Sequence, residues 1–388
     1  MEKVGTSEAT IDLAALRDNA ALVARLSQGR ELIGVVKADA YGHGVALVAR
    51  ILVEEGCRRL AVASVDEAAV LRDAGLDAPD ILVLSGLHSR AEAEEASGRR
   101  LTPVVYDDET LSLAVAAGRC SGAPIEVEVE VDTGMSRMGV AAESAVDLLV
   151  RVAGTAELNL AGVFTHFSRA DETDLEPCFE QLASFRRILA SAREQGVEPR
   201  IVHASNSAGL LAGKSLLDAL PEGTAVRPGL MLYGVCPAPH FDDASLRAVM
   251  CLQTQVVRLQ DVVPGQPVGY GATFRVVQKT RIATLPLGYA DGVPCATSGH
   301  GWVWLAGKRH PIVGRVSMDY ITIDVGGRDE GARVGLGDRA VIFGNAAVDE
   351  AGISVEEAAA WAETIPYELL VRVGQRVPRR EVDPAVSD

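Results

Sequence analysis

Eight short apolar runs, separated by helical segments, fill the chain from about residue 30 to 240. Ala, Leu, Glu and Arg recur at helical spacing between most of them, as in Val45 to Glu55, Glu67 to Ala74 and Phe179 to Glu194. Eight strand–helix units in about 240 residues are typical of a (β/α)8 barrel of the TIM type. The rival is an open doubly wound sheet, but no Gly-x-Gly-x-x-Gly motif opens a helix after a strand. The predicted strands are residues 32–36, 59–63, 81–84, 101–105, 125–131, 159–165, 201–204 and 225–233, and a helix from Leu13 to Leu26 precedes them.

The residue pattern changes after about residue 240. Helical spacing gives way to β-branched runs punctuated by Gly and Pro, which predicts a small β domain. One helix interrupts it, beginning at the capping pattern of Ser354 and ending near Glu363. We therefore predict an α/β fold with a barrel domain at 1–245 and a mainly-β domain at 246–388, the extreme N-terminus being free to pack on the second domain. The predicted strands of this domain are Gln253 to Leu259, Arg281 to Pro286, Trp302 to Leu305 and Tyr320 to Val325.

Charge and cysteine usage limit the classes of partner. The formal net charge of −16 argues against nucleic acid, because phosphate backbones are bound by basic surfaces. The six cysteines lie far apart without any metal-ligand spacing, so we expect reduced thiols and no metal site. We find no apolar signal segment at the N-terminus and no run of about 18 apolar residues. These features predict a cytoplasmic protein that does not contact a membrane.

The first predicted barrel strand ends on a lysine. Leu32 to Val36 is apolar, Lys37 follows, and a loop with Tyr41 and two glycines comes next. A lysine at a strand end commonly extends its amine to the solvent at the barrel rim. Partial burial would instead lower its pKa, and a neutral amine can attack a carbonyl to form a Schiff base.

Polar residues follow several other predicted strands. The fifth strand leads into the segment from Asp132 to Gly139, the sixth ends before His166, the seventh carries His203 to Ser207, and the eighth carries Arg227. Each residue alone has an ordinary structural interpretation, such as a core histidine or a surface ion pair. The carboxyl ends of barrel strands meet at one rim, however, so the set predicts a polar site there.

The segment from Val35 to Gly44, VVKADAYGHG, resembles the pyridoxal-phosphate lysine segment of bacterial alanine racemases. The resemblance extends from Thr10 to about Tyr367, with motifs in family order. In the β domain the matching motifs are Gly269 to Phe274, Gly288 to Gly292, Val316 to Asp319 and Ile365 to Glu368. The resemblance implies a fold-type III enzyme that interconverts L- and D-alanine by α-proton transfer between two bases. It also implies a supply of D-alanine for peptidoglycan, and a homodimer whose active sites are shared between subunits.

The resemblance assigns roles to individual residues. Lys37 and Tyr270 would be the two catalytic bases, with Lys37 also holding the cofactor and Tyr270 arriving from the other subunit. Arg227 would face the pyridine nitrogen with His166 beside it. Arg137 would contact the cofactor's phenolic oxygen and the substrate carboxylate, which Met318 also binds. The phosphate would lie among Tyr41, Ser207, Gly229, Leu230 and Tyr367, and Tyr289 and Asp319 would support the site.

Glu130 departs from the family pattern, in which many relatives have a lysine that becomes carbamylated. Our hypothesis is that Glu130 supplies the same negative charge and pairs with Arg137. The alternative is that Glu130 points outward from its strand.

Three other functions stay open: a serine or broad-specificity racemase, a decarboxylase with barrel and β domain, and a protein that carries pyridoxal phosphate without turnover. Arg227 argues against the decarboxylases, which pair the pyridine nitrogen with a carboxylate. The β domain argues against the single-barrel carriers.

Overall fold

The structure is a computed structural model that describes residues 5–221, 223–241, 246–327, 334–344 and 352–383. Eight parallel strands lie side by side in chain order, and a parallel bridge between Leu32 and Val226 joins the first to the last. This arrangement confirms the predicted TIM-type barrel. Its strands are Ile33–Val35, Arg59–Val62, Asp80–Val83, Thr102–Val105, Ile125–Asp132, Leu158–Phe164, Ile201–Ser205 and Thr224–Val226.

Side-chain caps begin several of the helices that surround the barrel. Asp12 accepts a hydrogen bond from the amide of Ala15 at 2.8 Å, and Ser64, Ser89 and Asp107 cap later helices in the same way. The first helix has the predicted bounds. The helices are Leu13–Leu26, Val45–Glu54, Val65–Asp73, Arg90–Gly98, Asp108–Ser121, Ala145–Ala153, Glu176–Glu194, Ser207–Leu211 and Lys214–Ala219.

The eighth barrel strand is shorter than predicted. The sequence suggested 225–233, but the strand is Thr224–Val226, and Leu230–Tyr233 forms a 3-10 turn. Pro228 has no N–H to donate to a neighbouring strand, and the chain turns there. Leu230–Tyr233 is apolar because it is buried in the core, and such a run does not by itself distinguish a strand from a helical turn.

The C-terminal domain is built mainly from strands, as predicted. A six-stranded sheet has the order Lys308–Pro311, Trp302–Leu305, Arg339–Phe343, Met250–Gln255, Glu8–Asp12, Arg379–Val382. A second sheet contains Arg258–Val262, Thr280–Leu285 and Ile321–Asp324, and Pro267–Val268 pairs with Phe274–Arg275. The predicted strand from Gln253 to Leu259 is thus the end of one strand and the start of another. Two helices complete the described part of the domain, Val355–Trp361 and Pro366–Val371.

The N-terminal strand Glu8–Asp12 lies in the sheet of the C-terminal domain, antiparallel to Met250–Gln255 and parallel to Arg379–Val382. A strand from the N-terminal end of the chain therefore completes the sheet of the C-terminal domain. The boundary at residue 245 stays a prediction and lies outside the described residues.

Among the described residues, no helix combines the length and the hydrophobicity that crossing a membrane requires.

Candidate active site

Lys37 lies just beyond the first barrel strand, at the carboxyl end of the barrel. Its side chain lines a cavity of about 840 Å³ and is partly buried. Burial, and then the nearby positive charge of Arg137, lower the pKa of Lys37. A larger fraction of the amine is therefore neutral, which is the form that attacks carbonyls and accepts protons.

The residues after Lys37 form a left-handed turn where the sequence predicted a loop. Residues 38–41 all have φ of 53° or 54°, a conformation that costs about 1–2 kcal/mol for each residue other than glycine. Contacts from both sides hold the turn. The amide of Val45 donates to the Asp39 carboxylate at 2.7 Å, and Arg379 donates to the carbonyl of Gly42 at 2.9 Å. This strained turn fixes where Lys37 and Tyr41 point.

Hydroxyl and amide groups form a cradle beside this turn. The amide of Gly229 donates to the hydroxyl of Ser207 at 2.9 Å, and a Cβ atom on Gly229 would lie only 2.7 Å from the hydroxyl oxygen of Tyr41. Leu230 and Tyr367 line the same cavity. Burial raises the pKa of Tyr41 and raises that of Tyr367 to about 12, so both hydroxyls stay protonated near neutral pH. The cradle offers O–H and N–H donors to a small anion.

Arg227 is buried inside the barrel between two histidines. It donates to Nδ1 of His203, to Nδ1 of His166 at 3.0 Å and to the carbonyl of Thr165 at 2.8 Å. Burial lowers the pKa of Arg227 to about 10, which still leaves the guanidinium protonated at neutral pH. Burial, and then the charge of Arg227, hold the pKa of His166 well below 6.5, so that ring is neutral. The predicted contact between His166 and Arg227 is present.

Sequence reasoning missed the role of His203 and Glu128. Nε2 of His203 lies 2.6 Å from the Glu128 carboxylate, whose other oxygen lies 3.6 Å from Arg59. Burial lowers the pKa of His203 to about 4. Since Arg227 can only donate to Nδ1, the neutral ring carries its proton on Nε2 and donates to Glu128. The alternating Glu-Val-Glu-Val-Glu of residues 126–130 contained the signal, because residues 128 and 130 face the same side of a strand.

Glu130 faces the cavity and is only 7% exposed, so it does not point outward. Burial raises the pKa of Glu130, while the charges of Arg227 and Arg137 act to lower it. No ion pair within 4 Å joins Glu130 and Arg137 in the described structure. Arg137 is exposed at the cavity rim on a loop held by Asp132, which accepts hydrogen bonds from three backbone amides at 2.8–2.9 Å. The two charges therefore interact across the cavity rather than in contact.

Tyr270, Tyr289 and Met318 line a second cavity, of about 760 Å³, in the β domain. Tyr270 is 72% exposed and Met318 is 52% exposed. A single chain therefore does not bring these residues into the cavity of Lys37.

Asp319 holds the segment that carries Met318. Its carboxylate accepts from Arg376 at 2.8 Å, and Arg376 also contacts the buried Asp291 at 2.5 and 3.0 Å. The amide of Tyr289 donates to the carbonyl of Ser317 at 3.0 Å. Two of the motifs singled out in the sequence, around Tyr289 and around Met318, are thus packed against each other.

Comparisons with known proteins cover almost the whole chain and agree with one another. Residues 11–237 match the family profile of the alanine racemase N-terminal domain, and residues 249–381 match that of the C-terminal domain. An alanine racemase of Halothermothrix orenii is 40% identical over 375 residues, covering 96% of this chain and 95% of the relative. The solved alanine racemase of Streptomyces coelicolor is 35% identical with a TM-score of 0.89, covering 98% of each chain. The solved alanine racemase of Bartonella henselae with covalently bound pyridoxal phosphate is 29% identical, with a TM-score of 0.85 over 97% of this chain and 100% of that one.

Proposed function

The chain belongs to the alanine racemase family, and we propose that it interconverts L-alanine and D-alanine with pyridoxal phosphate as its cofactor. The observation that carries the proposal is the ring of polar groups around Lys37 at the carboxyl end of the barrel, within a chain similar to alanine racemases over its full length. Each reactive group in that ring matches a need of the reaction: an amine, an anion cradle and a buried cation.

The residues present fit the cofactor. Lys37 would hold it through the side-chain amine, and the cradle of Tyr41, Ser207 and Gly229 would bind its phosphate with Leu230 and Tyr367 alongside. Without a Cβ at position 229, the backbone can approach the phosphate oxygens closely. When bound, pyridoxal phosphate supplies an electron sink for the charge that develops at the α-carbon. Arg227 would donate to the pyridine nitrogen, and since guanidinium holds its proton firmly, the ring would stay unprotonated.

Lys37 and Tyr270 would move the α-proton on opposite faces of the substrate. Nζ of Lys37 is suited to accept a proton because burial lowers its pKa. The hydroxyl of Tyr270 would serve the other face. Arg137 at the cavity rim would hold the substrate carboxylate, with the backbone of Met318 beside it, and Glu130 would balance the charge of Arg137 and Arg227.

The working unit would be a homodimer. Tyr270, Tyr289 and Met318 are exposed around the second cavity, and Ile365 and Val371 are exposed at the rim of the first. Exposed apolar side chains gathered around two cavities are typical of surfaces that a partner covers. A second copy that placed its Tyr270 over the first cavity would bury both patches at once and complete both sites.

Alanine is the favoured substrate because Tyr41, Tyr367 and Met318 would crowd a side chain larger than a methyl group. A serine or broad-specificity racemase is the second candidate. We place the enzyme in the cytoplasm, where its D-alanine would be used for peptidoglycan synthesis.

Incubation with a panel of L-amino acids in D₂O tests this function. Deuterium should enter the α-position of alanine while D-alanine accumulates, and both should be lost in Tyr270→Phe. Exchange that retains the L-configuration would mean that Lys37 acts alone, and the role of Tyr270 would be wrong. No exchange with any amino acid, despite bound cofactor, would favour a carrier without turnover.

A further inference from the structure

The carboxylate of Glu67 joins the segment after Lys37 to the second barrel strand. One oxygen accepts a hydrogen bond from the amide of Ala38 at 2.7 Å, and the other accepts from the amide of Ala63 at 2.7 Å. Ala38 is the first residue of the left-handed turn, and its amide belongs to the peptide bond that Lys37 begins. Glu67 is therefore one peptide group away from the proposed cofactor lysine.

The next strand–helix unit contains a matched residue, Glu92. Glu67 and Glu92 are each the third residue of a helix, and each donates its amide to a capping serine, Ser64 or Ser89. The carboxylate of Glu92 accepts from the amide of His88 at 2.7 Å, just as that of Glu67 accepts from Ala63. Helix capping thus accounts for the hydrogen bond that one carboxylate oxygen of each glutamate accepts. The second oxygen of Glu67, on Ala38, has no counterpart in the contacts of Glu92.

We propose that Glu67 is a positioning residue for Lys37: its carboxylate anchors the left-handed turn at the first amide and places a negative charge beside the amine. Only a carboxylate can do both, since an amide side chain has one acceptor oxygen for the two N–H groups. The turn gathers four residues in a conformation that side chains disfavour, so an anchor at its start keeps the lysine aimed into the cavity.

The charge of Glu67 shifts the pKa of Lys37 in the opposite direction to the other neighbours of the lysine. Burial and the charges of Arg137 and Arg227 lower the pKa of Lys37, and the charge of Glu67 acts to raise it. Glu67 therefore limits how far the pKa falls. The effect on cofactor affinity rests on the proposed function of Lys37, but the effects on the turn and on the lysine pKa do not.

Glu67→Gln, with Glu92→Gln as the matched control, tests this in the full-length protein. The sequence holds only five lysines, so the amine of Lys37 can be followed by ¹³C reductive methylation with formaldehyde and NMR in cofactor-free protein, with Lys37→Arg to assign its signal. We expect Glu67→Gln to lower the pKa of Lys37 by about one unit or more, the shift that loss of a neighbouring charge produces. The affinity for pyridoxal phosphate should fall about tenfold with the loss of one amide contact. Glu92→Gln should leave the pKa of Lys37 unchanged and the cofactor affinity within about twofold of the original, because one acceptor oxygen suffices at that site.

Glu67→Asp separates the anchoring role of Glu67 from its electrostatic role. It is also the variant to use if Glu67→Gln does not fold. The shorter carboxylate keeps the charge but cannot reach both amides, so the pKa of Lys37 should stay close to the original value while cofactor affinity falls. A Lys37 titration that is the same in Glu67→Gln, Glu92→Gln and the unchanged protein would overturn the proposal. An unchanged protein that does not bind pyridoxal phosphate would instead contradict the proposed function, and the lysine titration would still decide the role of Glu67.

Discussion

Lys37 and Tyr270 lie in separate cavities of the same chain, one at the carboxyl end of the barrel and one in the β domain. Lys37 is partly buried, whereas Tyr270 is 72% exposed. If both residues act on one α-carbon, as proposed, the second must come from another copy. The exposed patches around the two cavities are the surfaces that such a pairing would bury, so the proposed chemistry and the proposed dimer depend on each other.

Replacing Glu130 by glutamine should impair the enzyme while leaving the fold intact. The carboxylate opposes the positive charges of Arg137 and Arg227 across the cavity. Without it, the two arginines would repel each other unopposed, which would disturb the proposed placement of Arg137 for the substrate carboxylate. We expect kcat/KM for L-alanine to fall about tenfold, equivalent to about 1.4 kcal/mol of transition-state stabilisation. Steady-state kinetics with the exposed Glu143→Gln as control provide the check. Unchanged kinetics in Glu130→Gln would mean that this charge has no role. Glu130 in place of a carbamylated lysine should also remove any need for bicarbonate, so activity of the unchanged enzyme that depends on bicarbonate would contradict the hypothesis.

Glycine at position 38 should stabilise the protein. Ala38 is exposed and has φ of 53°, a region that glycine occupies without the steric penalty of a side chain. We expect a gain of up to about 1 kcal/mol in the free energy of unfolding, or about 2–4 °C in Tm. Ala306→Gly is the control, since Ala306 is also exposed with φ of 50° but lies in a turn of the β domain.

The two glycine variants should differ in function. Ala306→Gly should leave cofactor affinity unchanged, while Ala38→Gly should weaken it severalfold because the turn beside Lys37 becomes more mobile. Destabilisation of both variants would show that the turns are not strained.

Stability should fall as the solution is acidified from about pH 6.5 to 4. Burial lowers the pKa of His43 and His203 to about 4, against about 6.5 in the unfolded chain. Between these values the unfolded chain binds protons that the folded chain does not, so the unfolded state gains up to about 1.4 kcal/mol per histidine for each unit of pH. The stabilisation is complete above pH 6.5 and is lost toward pH 4.

His43→Asn isolates one of these contributions. Nδ1 of His43 lies 3.0 Å from the carbonyl of Ala40, a contact that an asparagine amide can replace. Urea unfolding at several pH values should show a slope reduced by about one proton for this variant. The exposed His300→Asn should keep the original slope. An identical pH slope in all three proteins would refute the assignment of His43.

The barrel and the polar residues at its rim could be predicted from the sequence because their signals are local. Lys37 follows an apolar run, and Arg227 follows the last barrel strand. The left-handed turn after Lys37 could not be foreseen, since Ala and Tyr disfavour that conformation and contacts such as that of Arg379 with Gly42 impose it. The pairing of Glu128 with His203 was missed because it joins strands 75 residues apart in the chain.

Two further features could not be predicted because they are set by the surroundings of a residue rather than by its type. The apolar run Leu230–Tyr233 has the composition of a strand and forms a 3-10 turn after Pro228. Glu130 could have faced either way from the sequence alone, and the parity of its strand places it in the barrel cavity.

The most direct test of a shared two-base site mixes two inactive variants. Lys37→Ala and Tyr270→Phe subunits are purified, mixed in equal amounts under conditions that exchange subunits, and assayed for conversion of L- to D-alanine. Random exchange makes half of the dimers hybrid, and each hybrid has one site with both original residues. One quarter of all sites in the mixture are then intact, so the specific activity of the mixture should be about one quarter of that of the original enzyme. A mixture no more active than its separate components would contradict a site completed by Tyr270 of a second copy.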